Sequence, residues 1–194
     1  RISYLAGRDG LMASDAVAKR LLSNLLPIAD IPVQYGAGVY ALCLRDDAEL
    51  PNIVAGQSGL LYVGMTDDDL SVRNHFTHRD SSRSSPRRSL GALLRHKLKL
   101  VPIPRGSGGS ERDFTHFRFA DDGEKRLTEW MRDSLLASQV IVADDVGALE
   151  GELIFLLKPC LNLTKLGGWR NAQKTKVMAA RSECAALARS SLRV

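Results

Sequence analysis

Hydrophobic and polar positions alternate along the chain with two different periods. Helical spacing of apolar residues predicts helices over 13–26, 67–78, 90–100, 124–136, 146–157 and 171–189. Short apolar or alternating runs predict strands over 38–44, 60–65, 114–119 and 138–143. Between them, Ser-, Gly- and Pro-containing stretches at 79–89 and 102–110 predict flexible loops. The first two strands are joined by one loop, so the pattern indicates an antiparallel hairpin within an α+β fold, a small antiparallel sheet flanked by helices.

Charge is distributed unevenly over the 194 residues, whose formal net charge is +5. Residues 71–112 carry ten Lys or Arg against two acidic residues, and residues 165–194 carry seven against one. Such segregation is typical of proteins that bind a phosphate backbone, although two solvated basic surfaces would give the same pattern. The candidate DNA-binding residues are Arg79, Arg83, Arg87, Arg88, Arg95, Lys97, Lys174 and Lys176.

Other classes of protein are disfavoured by composition. No stretch is long and apolar enough for a membrane-spanning helix, which needs roughly 20 apolar residues. Cys43, Cys160 and Cys184 are too far apart for a zinc site, and their odd number does not describe a disulfide framework. Cys43 lies in an apolar run and is expected in the core. This usage favours a reducing, cytoplasmic location.

Two charged residues fall on the apolar sides of predicted helices. Glu150 lies in the middle of the apolar face of helix 146–157, whereas Glu152 lies outside it. A carboxylate there requires a cation or hydrogen-bond donors, so Glu150 either binds a metal or pairs with a structural arginine. Arg73 falls between Leu70 and Phe76 and either extends towards solvent or contacts a phosphate.

Two glycine-flanked tyrosines lie in the hairpin strands, in the triplets Gly38-Val39-Tyr40 and Tyr62-Val63-Gly64. Next come the segment ending at Arg73, the helix with Glu150, and Lys158-Pro159 followed by Asn162. In order and spacing, these segments resemble the GIY-YIG nuclease family over residues 36–165. The same pattern occurs in the nuclease subunit of bacterial excision repair, in homing endonucleases and in some type II restriction enzymes.

The resemblance implies a role for each matched residue. Glu150 would bind Mg²⁺ or Mn²⁺, and Arg73 would neutralise charge on the transition state. Tyr40 would orient or deprotonate the attacking water with support from Tyr62, and Asn162 would hold the local geometry. Family members often carry a His or Tyr four residues after the arginine, where Thr77 stands here, so Thr77 and His78 are auxiliary candidates. Relatives in excision repair carry Lys where this chain has Met65.

These observations predict an organisation and a function. Residues 1–35 would be a helical extension, 36–165 a nuclease domain with a basic insertion at about 79–112, and 166–194 a basic C-terminal helix. The predicted function is a metal-dependent endonuclease acting on double-stranded DNA, of restriction type, for which cutting both strands would favour a homodimer. The alternatives are a non-catalytic nucleic-acid-binding module, a structure-specific repair nuclease and a nuclease toxin.

Overall fold

Helices and short antiparallel strands alternate along the chain. The computed structural model describes residues 8–72, 78–164 and 171–193. The helices of these parts are α1 (Arg8–Ser23), α2 (Ser85–Leu94), α3 (Glu111–Thr115), α4 (Asp121–Ser134), α5 (Val146–Leu157) and α6 (Lys174–Ser190). The strands are β1 (Leu26–Pro27), β2 (Gly38–Leu44), β3 (Leu60–Thr66), β4 (Pro102–Ile103), β5 (Arg118–Phe119) and β6 (Leu135–Ile141). No helix within the described parts is long and apolar enough to span a membrane.

Four strands form the main sheet, in the order β1-β6-β2-β3, and every neighbouring pair is antiparallel. The predicted hairpin is present as β2 and β3, with Tyr40 opposite Gly64 and Leu42 opposite Tyr62. The short strands β4 and β5 form a second, two-stranded sheet. The α+β class with a small antiparallel sheet is therefore confirmed.

Two hydrophobic clusters hold the helices on the sheet. Alternate β2 residues Val39, Ala41 and Cys43 join the cluster that also contains buried residues of α1 and α5. Strand residues such as Leu61 and Leu135 join a larger cluster with buried residues of α2, α4 and α6. The sheet residues thus contribute to both cores, and α6 packs into the larger one through residues that include Val177 and Cys184.

The basic stretch 79–89 differs most from its prediction. It was expected to be a flexible loop, but it contains a 3-10 turn at Ser81–Arg83 and the first turn of α2. The Ser84 hydroxyl accepts a hydrogen bond from the Arg87 backbone N–H at 3.3 Å, and Pro86 lies in the first turn, where proline is compatible with a helix. The loop prediction was wrong because serine and proline here begin a helix.

Smaller differences concern element boundaries. The predicted strand 114–119 is a short helix, α3, followed by the two-residue strand β5. The first helix begins at Arg8 and ends at Ser23 rather than spanning 13–26. Residues 67–72 of the helix expected over 67–78 form bends and turns instead, and residues 73–77 lie outside the described parts of the chain. Helix α5 has the predicted bounds, because Asp145 caps its start through the Ala148 N–H at 3.2 Å and Lys158 ends it with φ 53°.

Candidate active site

The two tyrosines of the hairpin lie side by side on neighbouring strands. Their ring centroids are 6.2 Å apart with an interplanar angle of 39°, and a side-chain hydrogen bond joins them. Gly64 lies against both rings: a Cβ at this position would be 2.5 Å from Tyr40 Cζ and 2.8 Å from Tyr62 Cε1. A side chain at residue 64 would therefore displace the rings, which explains why the second triplet ends in glycine.

Glu150 of α5 lies close enough to Tyr62 to act on it electrostatically. It is half-buried, and burial first and Asp67 second raise its pKa to about 7. No Lys or Arg among the described residues forms an ion pair with it. The structural pairing considered for Glu150 is therefore not found within the described parts of the chain.

Tyr62 lies in the electrostatic field of that carboxylate. Burial raises the pKa of Tyr62 strongly, Glu150 raises it further, and the hydrogen bond with Tyr40 opposes the shift. The Tyr62 hydroxyl therefore keeps its proton at neutral pH. In that form its hydroxyl can donate one hydrogen bond and accept others, but it carries no negative charge with which to act as a strong base.

A divalent cation fits the chemistry of this corner of the fold. Glu150 and Asp67 interact electrostatically, and carboxylate oxygens are the ligands that Mg²⁺ and Mn²⁺ prefer. Within the described residues, no group of three or more His, Cys, Asp or Glu side chains could surround a metal ion. The protein would thus supply few ligands and leave the remaining coordination positions to water and substrate, as Mg²⁺ sites commonly do.

Asn162 forms hydrogen bonds with the outer edge of β3, next to Tyr62. Its Oδ1 accepts a hydrogen bond from the Val63 N–H at 2.9 Å, and its Nδ2 donates to the Val63 carbonyl at 2.8 Å. The neighbouring Leu161 N–H donates to the Leu61 carbonyl at 2.7 Å. Asn162 is only 4% exposed, so these bonds replace those that the backbone of β3 would otherwise make with water.

The remaining catalytic candidates lie near the gap in the described chain. Arg73 and Thr77 lie outside the described residues. His78 is half-buried, and its backbone carbonyl accepts a hydrogen bond from Arg87 Nη1 at 3.0 Å. Burial first, then Arg83 and Arg87, lower the pKa of His78, while Asp80 opposes them. A neutral imidazole is therefore favoured at this position near pH 7.

The candidate DNA-binding residues divide into exposed and interior groups. The exposed ones are Arg79, Arg83, Lys97, Lys174 and Lys176, and Arg95 is half-buried in an ion pair with Glu183.

Arg87 and Arg88 belong to the interior group. For Arg87 this corrects the expectation of a DNA-contacting residue, because its guanidinium is fully paired inside the protein. Arg87 is 1% exposed and its Nη2 lies 2.7 Å from Glu124 Oε2, while further hydrogen bonds to the Glu124 carbonyl and to Thr128 satisfy the guanidinium. Arg88 is 4% exposed. A buried and fully paired arginine such as Arg87 holds the fold and has no donor left for a phosphate.

Asp67 is the residue of this site that the sequence analysis did not identify. It directly follows β3, three residues after Gly64, at the first position of the helix that was predicted over 67–78. Its position at the end of the strand that carries Tyr62 was the available signal, since residues at strand ends often line functional sites.

Comparisons with known proteins agree with this geometry. No curated protein and no solved structure matches the chain. The model of the family described as GIY-YIG catalytic domain matches residues 38–183, a span that contains β2 and β3 with their tyrosines, α5 with Glu150, Asn162 and most of α6. Since that match covers well over half of the sequence, the chain belongs to the GIY-YIG nuclease family.

Proposed function

We propose that this protein is a Mg²⁺- or Mn²⁺-dependent endonuclease that hydrolyses phosphodiester bonds in double-stranded DNA. The observation that carries the proposal is the half-buried Glu150, which lies beside the tyrosine pair and is not paired with any described lysine or arginine. A protein that only bound nucleic acid would have no need for a partly buried acid whose ionisation is unfavourable.

Each residue of the site has a distinct task in this proposal. Glu150 holds the metal, with Asp67 adding negative charge next to it. When bound, the divalent ion stabilises the charge that develops on the phosphate and on the leaving oxygen. Arg73 is assigned to the phosphate by its position in the family pattern, where a bidentate guanidinium suits the oxygens.

The tyrosines act on the water. Tyr62 keeps its proton and donates a hydrogen bond, which leaves Tyr40 to orient the water that attacks phosphorus. A bond forms between the water oxygen and phosphorus while the bond between phosphorus and the leaving oxygen breaks. The water gives up a proton to solvent and the leaving oxygen takes one up, so the products are one end with a phosphate and one with a hydroxyl. Asn162 takes no part in proton transfer; it positions Tyr62 by fixing the backbone of the next residue, Val63.

Plasmid cleavage tests the proposal directly. Supercoiled plasmid is incubated with the wild type, Glu150→Ala and the control Glu152→Ala, each with Mg²⁺ and with EDTA. We expect cleavage by the wild type and by Glu152→Ala in Mg²⁺ only, and none by Glu150→Ala. Discrete fragments would support restriction-type specificity, whereas nicking alone would not.

Other outcomes would favour the alternative functions. DNA binding in a gel shift without cleavage by the wild type would favour a non-catalytic binding module. Cleavage confined to branched DNA would indicate a repair nuclease, and cleavage of RNA a toxin. If both strands are cut in one binding event, sedimentation with DNA is expected to show two copies of the chain.

A further inference from the structure

Positively charged side chains gather on the side of the molecule formed by α2, α3 and α6. The arginine cluster consists of Arg88 in α2, Arg105 in the turn after β4, Arg112 in α3 and Arg181 in α6, with His116 next to them. Arg181 Nη1 donates to Ser85 Oγ at 3.3 Å, which joins α6 to the start of α2. The Arg105 N–H donates to the Asp113 carbonyl at 2.9 Å, which holds this turn against α3.

Acidic residues near the cluster do not pair with it. In the described parts of the chain, none of its four arginines forms an ion pair with an acid, although Asp80 acts electrostatically on Arg88. The nearby acids are engaged elsewhere: Glu111 pairs with Arg189 at 2.6 Å, Glu183 pairs with Arg95, and Asp113 accepts from the Ser110 N–H at 3.2 Å.

Arg88 and its neighbour Arg87 provide a comparison within one helix. Both are interior, but Arg87 is neutralised by Glu124, whereas Arg88 Nη1 donates only to the carbonyls of Ser81 at 3.2 Å and Ser82 at 2.8 Å. Among the residues that the structure describes, the buried Nε of Arg88 finds no hydrogen-bond partner. Burial first, then Arg181 and Arg105, lower the pKa of Arg88 to about 10, with Asp80 opposing them.

Such an arrangement is unfavourable without an anion. A buried charge requires a partner, and like charges held together repel one another strongly where water is excluded. An anion seated among the arginines would satisfy Arg88 and remove the repulsion at once. The planar guanidinium group of arginine can donate two parallel hydrogen bonds to the oxygens of a phosphate.

We propose that the arginine cluster is a second phosphate-binding site, which holds a backbone phosphate of the DNA substrate away from the tyrosine–glutamate site. This assignment rests on the proposed nuclease function. Arg105 and Arg112 are exposed and Arg181 is half-buried, whereas Arg88 is interior, so a phosphate of a long polyanion would contact the outer arginines of the cluster from solvent. Its elements α2, α3 and α6 differ from β2, β3 and α5, which carry the catalytic candidates.

The test compares DNA binding by variants that are unable to cut. In a Glu150→Gln background, Arg105→Gln, Arg112→Gln and Arg181→Gln are compared with the control Arg132→Gln, an exposed arginine of α4. Affinity for a labelled duplex is measured by fluorescence anisotropy over a range of salt concentrations. We expect each cluster variant to bind roughly tenfold more weakly at low salt and its log–log salt slope to become shallower by about one, as for loss of one phosphate contact. The control is expected to stay within about twofold of the background.

The outcomes separate this inference from the proposed function. If the wild type cuts DNA and the cluster variants bind like Arg132→Gln, the second phosphate site is refuted and the nuclease stands. If the wild type neither binds nor cuts DNA, both fail. Calorimetric binding of inorganic phosphate that Arg181→Gln abolishes, with DNA affinity unchanged, would identify a free-anion site and overturn the assignment to DNA. Unfolding temperatures within a few degrees of the background confirm that the variants are folded.

Discussion

Glu150 should make the folded protein less stable as the pH rises, and Glu150→Gln should remove that effect. The pKa of this carboxyl is raised from 4.5 to about 7 in the folded state. Between these values the folded protein retains a proton that the unfolded chain releases, so the free energy of unfolding falls as pH increases. Below the lower value both states are protonated and there is no penalty. Above the higher value the penalty is complete.

The size of the effect follows from the shift and from the exposure of the side chain. A pKa shift from 4.5 to about 7 would lower the free energy of unfolding by about 3 kcal/mol if solvent did not screen the carboxylate. Glu150 is only half-buried, and solvent screening reduces this figure by about half. We therefore expect Glu150→Gln to stabilise the protein by about 1–2 kcal/mol above neutral pH, which corresponds to roughly 3–6 °C in Tm for a chain of this size.

Urea and thermal unfolding followed by circular dichroism measure the effect. The wild type, Glu150→Gln and the control Glu152→Gln are compared in EDTA near pH 4.5 and near pH 8. The difference between Glu150→Gln and wild type should be close to zero at the lower pH and should reach its full value at the higher. Excess Mg²⁺ should stabilise the wild type and leave Glu150→Gln unchanged, since only a folded site with its carboxylate gains from the ion.

Two results would refute the reasoning. One is a wild type more stable than Glu150→Gln near pH 8 in EDTA, because it would show that the carboxylate has a favourable partner in the folded protein. The other is a stabilisation by Glu150→Gln that is equal at both pH values, since a protonation effect must vanish when both states hold the proton.

Three further substitutions test the packing of the site. Gly64→Ala should lower the cleavage rate at least tenfold, because its Cβ would displace the tyrosine rings. The control is Gly147→Ala, whose Cβ would lie 3.6 Å from the nearest side chain. It should cut normally and be more stable by up to about 1 kcal/mol. Glu124→Ala should cost about 3–5 kcal/mol in urea unfolding by leaving Arg87 buried and unpaired, and a loss below about 1 kcal/mol would contradict that role. Asn162→Ala should lower the free energy of unfolding by about 2 kcal/mol, because the backbone N–H and carbonyl of Val63 both lose their hydrogen-bond partner. Unchanged hydrogen exchange at the Val63 N–H would argue against this role.

Local patterns were sufficient to predict the elements that carry the site. Helix α5 was predicted with its observed bounds because its apolar residues and the Pro159 that follows them are close in sequence. The hairpin of β2 and β3 was predicted for the same reason. The prediction of Glu150 as an unusual acid also needed only the helical period, although the residue is half-buried rather than buried.

The interior position of Arg87 could not be predicted in this way. Its partner Glu124 lies 37 residues further along the chain, on a different helix. Sequence periodicity gives no information about which distant carboxylate meets which arginine, so a buried ion pair and a solvated basic loop have the same local appearance. The arginine cluster was hidden for the same reason, since α2, α3 and α6 come together only in the folded chain.

Both outer strands of the main sheet are closed to further strands. On one side, β1 has only two residues and includes Pro27, which has no N–H to offer a neighbour. On the other, the Asn162 amide and the Leu161 N–H occupy backbone groups of β3 at Val63 and Leu61. An exposed sheet edge is a template for aggregation, and this chain blocks β3 with the same asparagine that is proposed to position Tyr62. Another strand could pair along these positions of β3 only by displacing the bonds at Val63 and Leu61, so we expect any assembly that keeps them intact to form through side-chain surfaces.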